Sequence, residues 1–543
     1  PRHVVSSLGS KAPEGCLGCA IFMGDRLGSA AMAGEHFDVV IMGAGLSGVG
    51  AAHHLQRLCP NKSYIILEQR ERIGGTWDLF RYPGIRSDSD MLTMGYSFRP
   101  WTHPKAISPG DDIRDYISAT AREAGIDRNI RFRHTIKQAA WSSEDAQWTI
   151  QAVRKSADGT DEPVTLTSNF LFCCAGYYRY SSGYSPEFPN VGRFQGRIIH
   201  PQLWPDELHY TGKRVLIIGS GATAVTLLPA MAKTAGHVTM LQRSPTYVLS
   251  APEKDVIANF LRHILPSTWA YRLSRWKNVG FMTGIYQYSQ RFPERIKKTL
   301  LNKVREHLGP EYDVETHFTP RYRPWEQRMC LVPDADLFVA IKSKRASVVT
   351  DQIETFTEKG VLLKSGKVLE ADIIITATGL AMQVLGGIEL SVDGQRVDPG
   401  KTLAYKGVMM SGVPNLASVF GYINASWTLK ADLISNYVCR LLNFMDRKDV
   451  RQVTPQRGDQ DARAPFVENF SSGYIQRALT SWPHQGAQKP WRVYQNYFRD
   501  TISLKWASID DPALVFSNPP QPASSAQFSA AGGIRPTSLS RIG

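Results

Sequence analysis

One pattern occurs twice in the sequence and constrains the fold more than any other feature: an apolar strand turns through a glycine-rich loop into a helix. The first copy begins with the run Phe37–Met42, and its loop carries the glycines Gly43, Gly45 and Gly48. A second apolar strand, Ser63–Glu68, follows the helix. Because a strand, a helix and a parallel strand form a βαβ unit, the pattern predicts an α/β fold.

The spacing of the three glycines suits a loop that binds a pyrophosphate. Gly43 permits a tight turn, Gly45 lets the backbone approach the phosphates, and Gly48 lets helix and strand pack closely. The N-terminus of the helix then faces the anion. Glu68 lies 20 residues after Gly48, where a carboxylate accepts the ribose hydroxyls of an adenosine and repels a 2′-phosphate. We therefore expect the first unit to bind FAD.

The second copy of the pattern differs at the position that selects the nucleotide. Its strand Arg214–Ile218 leads to the equivalent loop positions Gly219, Gly221 and Ala224, and alanine is an accepted variant of the third glycine. Gln242 stands where Glu68 stands in the first unit, and Arg243 follows it. Loss of the acid and gain of a guanidinium favour a ribose 2′-phosphate. The second nucleotide is therefore predicted to be NADPH.

These two Rossmann-like units predict two dinucleotide-binding domains, with a basic and aromatic helical insert in the NADP domain. The predicted segments are a flexible N-terminal extension at 1–36, the FAD-binding domain at 37–185 and 371–516, the NADP-binding domain at 186–370 with its insert at about 252–318, and a flexible tail at 517–543. The apolar run Ala371–Gly379 is predicted to return the chain to the FAD domain, with Gly379 near a cofactor.

Charge and cysteine content narrow the partners and the compartment. The formal net charge is +14, yet the sequence has no Lys/Arg run, which favours a phosphorylated ligand over nucleic acid. Seven irregularly spaced cysteines predict a reducing compartment and hence the cytoplasm. The pair Cys16 and Cys19 has no second pair to complete a zinc site, so no metal is predicted. The basic insert either touches a membrane surface peripherally or is a solvated face over the active site; we favour the latter.

A second candidate FAD contact follows the first unit directly. The stretch Arg72–Trp77 contains paired glycines, and a second close approach of backbone to the cofactor is expected at Gly75 and Thr76. Trp77 either lies against the isoalloxazine ring or packs in the core. The sequence does not decide between these two roles.

The segment between the two units resembles a family fingerprint. Phe194, Gly196, His200 and Trp204, followed by proline, match the FxGxxxHxxxWP motif of the type I Baeyer–Villiger monooxygenases. The related N- and S-oxygenating flavin monooxygenases usually end this motif in Phe or Tyr. Segments 74–90 and 424–430 resemble the ethionamide-activating branch of the family, and the resemblance covers about residues 37–516.

This resemblance implies a reaction and its residues. In the family, reduced flavin adds oxygen to form a C4a-peroxyflavin, which attacks a ketone and yields an ester or lactone; sulfur in thioethers or thioamides is a further substrate. The active-site arginine corresponds to Arg328 and the acid that orients it to Asp88, with Asp90 as the second candidate. Many relatives carry Lys before that arginine, whereas this chain has Gln327. His200 and Trp204 are expected to link the domains or to pack in the core.

Three other functions remain open from the sequence. A flavin- and NADPH-dependent reductase would need a redox pair, but Cys59 and the adjacent Cys173 and Cys174 lack the required spacing. An N- or S-oxygenating flavin monooxygenase is disfavoured by the final Trp-Pro of the fingerprint. A non-enzymatic NADP sensor would not consume oxygen. The sequence determines neither the ketone or sulfur substrate nor the oligomeric state.

Overall fold

The computed structural model describes residues 34–458, 464–468 and 470–520. Most of the predicted N-terminal extension, with Cys16 and Cys19, and nearly all of the predicted tail lie outside these ranges. The first strand begins at Glu35, two residues earlier than the sequence predicts. From that strand onward the described chain forms one compact unit.

The strands form two large sheets and several small ones. The first ten are β1 (Glu35–Met42), β2 (Tyr64–Leu67), β3 (Ile130–Arg131), β4 (His134–Ser142), β5 (Gln147–Lys155), β6 (Asp161–Cys173), β7 (Arg197–Ile199), β8 (Arg214–Ile218), β9 (His237–Gln242) and β10 (Val248–Ala251). The next eight are β11 (Cys330–Pro333), β12 (Ala346–Thr350), β13 (Ile353–Thr357), β14 (Gly360–Leu363), β15 (Val368–Glu370), β16 (Ile373–Thr376), β17 (Glu389–Val392) and β18 (Gln395–Arg396). The last are β19 (Ala404–Tyr405), β20 (Met409–Met410), β21 (Leu416–Ser418), β22 (Gln452–Pro455), β23 (Ala464–Pro465), β24 (His484–Gln485) and β25 (Leu514–Ser517).

The helices lie between and after these strands. In the first part of the chain they are α1 (Leu46–Leu58), α2 (Thr76–Leu79), α3 (Met91–Met94), α4 (Gly110–Glu123) and α5 (Ala222–Met231). Later helices are α6 (Val256–Ile264), α7 (Ser267–Arg291), α8 (Pro293–Leu308), α9 (Val314–Phe318), α10 (Asp336–Lys342), α11 (Trp427–Lys448), α12 (Gly473–Gln476) and α13 (Tyr497–Asp500), which continues into a π-helical turn, Thr501–Trp506. None of the helices in the described ranges has the length and apolarity needed to cross a membrane.

The first large sheet carries the first glycine loop. Its strands lie in the order β18-β17-β4-β5-β6-β1-β2-β3, and β21 also pairs with β6. β1 runs parallel to both β2 and β6, so it lies inside the sheet. Because β1 ends at Met42, the loop from Gly43 begins at the carboxyl edge of the parallel strands, where open α/β sheets bind ligands.

The second large sheet is entirely parallel and carries the second glycine loop. Its order is β12-β9-β8-β16-β7, with β8 between β9 and β16. β8 ends at Ile218, and α5 begins three residues after Gly219. The α/β fold with two Rossmann-like units is therefore confirmed.

The strand β16 belongs to a different sheet from the one that the sequence predicts. The sequence assigns the run Ala371–Gly379 to the FAD domain, but Ile373–Thr376 pairs with β8 on one side and β7 on the other. The strand therefore belongs to the second sheet, and only the turn after it leaves that sheet. An apolar run shows that a strand is buried, but it does not indicate which distant strands are its partners.

The helical insert is present as α6 to α9 and is fixed to the first domain by a buried arginine. Arg275 on α7 donates from Nη1 to the backbone carbonyls of Leu92, Thr93 and Gly95, at 3.0, 3.0 and 2.7 Å. These bonds satisfy carbonyl groups at the end of α3, where helices leave such groups unpaired. The insert is therefore packed against the domain that carries the first glycine loop.

Candidate functional site

The first glycine loop is closed by contacts that leave no room for side chains. A methyl group on Gly48 would lie 1.8 Å from the carbonyl oxygen of Gly43. Gly75, at φ 57°, faces the loop so closely that its methyl group would lie 3.0 Å from the Cα of Gly45. Two backbone segments thus meet at the N-terminus of α1, whose first turn contains no acidic residue. This geometry fits a pyrophosphate bound by backbone N–H groups.

Glu68 lies directly after β2, beside the same loop. Its carboxylate accepts hydrogen bonds from the backbone N–H groups of Ala44, at 2.7 Å, and Arg70, at 2.8 Å. The side chain is buried, and this burial raises the pKa of Glu68 above its usual value despite the two donors. Its position is the one at which a carboxylate can accept ribose hydroxyls.

The second glycine loop is tight at its start and open at its centre. A methyl group on Gly219 would lie 2.2 Å from the carbonyl oxygen of Ala377, in the turn after β16. A methyl group on Gly221 would meet no atom within 4 Å. Ala224 is fully buried in the core beneath the loop. The open side of Gly221 leaves space for a ligand at the N-terminus of α5.

Gln242, the last residue of β9, and Arg243, the residue after the strand, have separate roles. Gln242 is buried, and its amide donates to the carbonyl of His317 at 2.7 Å and to Thr350 Oγ1 at 2.9 Å. Arg243 is exposed and lines the central cavity. Within the described residues no carboxylate lies at ion-pair distance from Arg243. Its guanidinium is thus available to an anionic ligand.

One cavity of about 860 Å³ joins the two loops. Of the residues predicted from the sequence, those that line it are Gly43, Gly45, Glu68, Gly75, Thr76, Trp77, Asp88, Gly219, Gly221, Arg243, Arg328 and Gly379. Gly48 and Ala224 lie beneath the loops, and the fingerprint residues lie outside the cavity lining. Such a cavity at the carboxyl edges of two parallel sheets is a typical ligand site.

Arg328 and Asp88 meet at the wall of this cavity. Arg328 Nη2 lies 2.5 Å from Asp88 Oδ2, and each side chain is about one third exposed. The Asp88 carboxylate raises the pKa of Arg328 well above its usual value. The neighbouring Arg86 binds Asp336 of α10, at 2.5 Å. The segment that carries Asp88 is therefore attached to the second domain as well.

Asp90, the second candidate for the acid, serves as a helix cap. Its carboxylate accepts hydrogen bonds from the backbone N–H of Thr93 at 2.9 Å and from Asn278 Nδ2 at 2.9 Å. The bond from Thr93 caps the N-terminus of α3. The bond from Asn278 joins this cap to α7. Asp88, in contrast, is the acid that faces Arg328.

Three tyrosines beside Arg328 were not identified from the sequence. Burial raises the pKa of Tyr177, Tyr178 and Tyr474 above its usual value. The positive charge of Arg328 lowers the pKa of each phenol and offsets part of this rise. The hydroxyl groups of Tyr177 and Tyr178 lie 2.7 Å apart. These two follow β6 closely, so their place after a parallel strand was an available signal. Tyr474 lies far along the chain, and nothing in its local sequence indicates this position.

Gln327 and Trp77 also line the cavity. Gln327 Nε2 donates a long hydrogen bond to Ser471 Oγ at 3.3 Å. Trp77 is half-buried and packs against the core of the first domain while it lines the cavity. Its core and cavity roles are therefore compatible.

The fingerprint segment lies outside the cavity lining and packs against the second domain. A methyl group on Gly196 would lie 2.5 Å from the Asp372 carbonyl and 2.5 Å from the Phe194 ring, so only glycine fits there. His200 Nε2 lies 3.2 Å from the Gly379 carbonyl oxygen, and burial lowers the pKa of His200. Trp204 packs against the core of the second domain. These contacts are packing contacts of the second domain, and the linking role of His200 and Trp204 stays a prediction.

The cysteines in this region do not form a redox pair. Cys174 and Cys330 line the cavity, and burial raises the pKa of both thiols, that of Cys330 to about 12. A thiol with a raised pKa is a poor nucleophile. In the described ranges no cluster of His, Cys, Asp and Glu has the geometry of a metal site.

Comparisons with known proteins agree with this architecture. The family model described as flavin-binding monooxygenase-like matches residues 38–440. The FAD-containing monooxygenase EthA of Mycobacterium tuberculosis is 53% identical over 490 residues, which cover 90% of this chain and 99% of that protein. The probable FAD-binding monooxygenase AlmA of Acinetobacter baylyi is 48% identical over 485 residues, 89% of this chain and 96% of that protein.

Solved structures with a similar fold include a steroid monooxygenase and a cyclohexanone monooxygenase. An oxidized steroid monooxygenase bound to NADP superposes with a TM-score of 0.71 at 21% identity and covers 89% of this chain and 100% of that one. An open form of cyclohexanone monooxygenase gives a TM-score of 0.64 at 19% identity, with 78% and 90% covered. These likenesses concern the fold. The family match and the high identity to EthA place the chain in the flavin-binding monooxygenase-like family, among the flavin-dependent monooxygenases.

Proposed function

We propose that this chain is an FAD-containing, NADPH- and oxygen-dependent Baeyer–Villiger monooxygenase. It inserts one oxygen atom beside a ketone carbonyl to give an ester or lactone. The observation that carries the proposal is the Arg328–Asp88 ion pair at the wall of a cavity that both glycine loops line. The names of the relatives and the fold of the solved structures support the same class.

The residues present fit the two cofactors. The closed loop of Gly43, Gly45 and Gly75 would hold the FAD pyrophosphate, and Glu68 would accept its ribose hydroxyls. The open loop at Gly221 would hold NADPH, with Arg243 on the 2′-phosphate. FAD, once reduced by NADPH, supplies the activation of molecular oxygen. The protein supplies the positions and the charges.

Arg328 is suited to the charge that develops in this reaction. Insertion of oxygen beside a carbonyl builds negative charge on oxygen, which a fixed cation stabilises. A guanidinium stays protonated at neutral pH, so Arg328 stabilises the charge without giving up a proton. Asp88 orients the guanidinium and raises its pKa further. Asp88 is thus a positioning residue for Arg328.

Aromatic side chains form part of the cavity wall and favour apolar substrates. The rings of Tyr177 and Trp427 lie 5.1 Å apart, and both line the cavity together with Trp77. Aromatic walls bind ketones and soft sulfur groups through apolar contact. We therefore include thioethers and thioamides as substrates for S-oxygenation.

Product analysis with a cyclic ketone and isotopically labelled oxygen tests the proposal. The native enzyme should give the lactone with one labelled oxygen atom. Arg328→Ala should lower lactone formation by at least about a hundredfold while the FAD absorbance is retained. Arg321→Ala, which removes an exposed arginine of the same segment, serves as the matched control. Lactone formation by Arg328→Ala at the native rate would refute the role of Arg328.

The same assay separates the alternative functions. Oxygenation of an amine or a sulfide without any lactone from a panel of ketones would identify an N- or S-oxygenating enzyme. Consumption of NADPH without label in any organic product would identify a reductase or oxidase. A sensor would consume neither NADPH nor oxygen. Each of these results contradicts Baeyer–Villiger activity.

A further inference from the structure

Helix α6 has its apolar side facing outward. The exposed fractions of its large apolar side chains run from 56% for Ile257 to 76% for Val256, and the set is Val256, Ile257, Phe260 and Ile264. The inward side carries the small buried residue Ala258 and two polar side chains: Asn259 Nδ2 donates to the Pro104 carbonyl at 3.1 Å, and Arg262 Nη2 to the Trp101 carbonyl at 3.0 Å. A surface helix normally buries its apolar side. The orientation of α6 therefore indicates a partner for its outer side.

The apolar side of α6 continues onto two neighbouring elements. α7 packs beside α6 and exposes Trp269, Leu273 and Trp276 at helical spacing. The Trp276 ring lies 6.3 Å from that of Phe498, in the segment that goes on to the exposed residues Ile502 and Trp506. We call these exposed side chains of α6, α7 and 498–506 the apolar face. Apolar faces of this extent are typical of interaction sites.

The exposed charged side chains within the apolar face are positive. Residues 256–293 contain no Asp or Glu, and of their basic residues Arg272 and Arg291 are exposed. The guanidinium of Arg272 lies 5.7 Å from the ring centre of Trp269, on the exposed side of α7. Lys505 is likewise exposed beside Trp506. The partner should therefore be apolar and anionic.

We propose that the apolar face binds the surface of a bilayer that contains anionic lipid. Apolar side chains of an interfacial helix insert among the acyl chains while Lys and Arg contact the headgroups. Tryptophan favours this interface, and Trp269, Trp276 and Trp506 are each more than half exposed. A symmetric dimer through the same face would instead bring the basic residues of both copies together.

Vesicle co-sedimentation of the full chain with bound FAD tests the proposal. We expect binding to phosphatidylcholine vesicles that contain phosphatidylglycerol, much weaker binding to phosphatidylcholine alone, and a loss of binding at high salt. The double variant Phe260→Gln, Ile264→Gln should bind at least about tenfold more weakly, because two side chains no longer enter the bilayer. The matched control Val339→Gln, Val368→Gln changes exposed apolar residues of α10 and β15 and should bind like the native protein.

A second variant guards against an indirect effect on folding. Trp506→Gln alters another element of the apolar face and should weaken vesicle binding by about threefold or more. Both variants should retain FAD, because none of the three side chains is buried. Failure of the native protein to bind the anionic vesicles, or equal binding by all variants, would overturn the proposal. A dimer in light scattering that the double variant abolishes, without vesicle binding by the native protein, would assign the face to self-association and also overturn it.

Discussion

The two glycine loops share one construction but differ in how closed they are. In each, the first glycine packs against the turn after a neighbouring parallel strand: Gly43 against Cys174 and Gly219 against Ala377. The first loop is then sealed by Gly75, whereas Gly221 in the second has open space around it. The nucleotide-selecting acid Glu68 is buried, whereas Arg243 is exposed.

This difference corresponds to two ways of using a dinucleotide. A closed loop with a buried carboxylate suits a cofactor that remains bound, because release requires the backbone segments to separate. An open loop with an available guanidinium suits a cofactor that enters and leaves in each turnover. The proposed roles of FAD and NADPH follow this division.

The largest expected effect comes from adding a methyl group to the first loop, with a methyl group in the second loop as the comparison. Gly48→Ala should destabilise the protein by more than about 3 kcal/mol and release FAD, because the new carbon would overlap the Gly43 carbonyl. Gly221→Ala should change stability by less than about 1 kcal/mol. Thermal unfolding followed by flavin absorbance measures both. Equal unfolding temperatures for the two variants would remove the distinction between the loops.

Removal of the guanidinium should affect the second site alone. Arg243→Ala should raise the KM for NADPH by about 10- to 100-fold and leave the KM for NADH unchanged, because a charge-assisted bond to the 2′-phosphate is lost. Steady-state kinetics with both nucleotides measure this effect. Arg345→Ala, an exposed arginine of the same domain outside the cavity lining, is the control. A parallel rise in the KM for NADH would show that Arg243 does not read the phosphate.

The half-buried His200, which contacts the Gly379 carbonyl, should make the stability of the protein slightly pH-dependent. Burial lowers the pKa of His200 below 6.5, so between the lowered value and 6.5 the unfolded state binds more protons than the folded state. Stability should therefore fall as the pH drops below 6.5, by less than about 1 kcal/mol from this group. His200→Gln should show a shallower decline in urea unfolding at several pH values. If the decline of stability with falling pH is the same in His200→Gln as in the native protein, His200 does not contribute to the pH dependence.

The smallest expected effect concerns Gln327. Its amide lines the cavity and makes only one long hydrogen bond, to Ser471. Gln327→Lys should lower the KM for NADPH by about two- to fivefold by adding a positive charge near the second site. The ratio of the KM values for NADH and NADPH, measured beside the native enzyme, reports the change. If Gln327→Lys leaves this ratio unaltered, the 2′-phosphate does not bind near residue 327.

The sequence by itself determined the local parts of this protein. The strand–glycine–helix pattern defined both dinucleotide units, since turn geometry and helix packing require glycine at fixed spacing. The exchange of Glu68 for Gln242 and Arg243 distinguished the two nucleotides for the same local reason. The fingerprint and the family resemblance supplied Arg328 and Asp88 as candidates, although no local pattern links these two residues.

Only the tertiary structure decided which distant residues meet. It placed β16 in the second sheet, assigned Asp90 to a helix cap, and put Asp88 against Arg328 and its three tyrosines. It also turned the apolar side of α6 outward, which the periodicity of a helix cannot indicate. Long-range contacts depend on how whole elements pack, and the same apolar pattern is compatible with several packing partners.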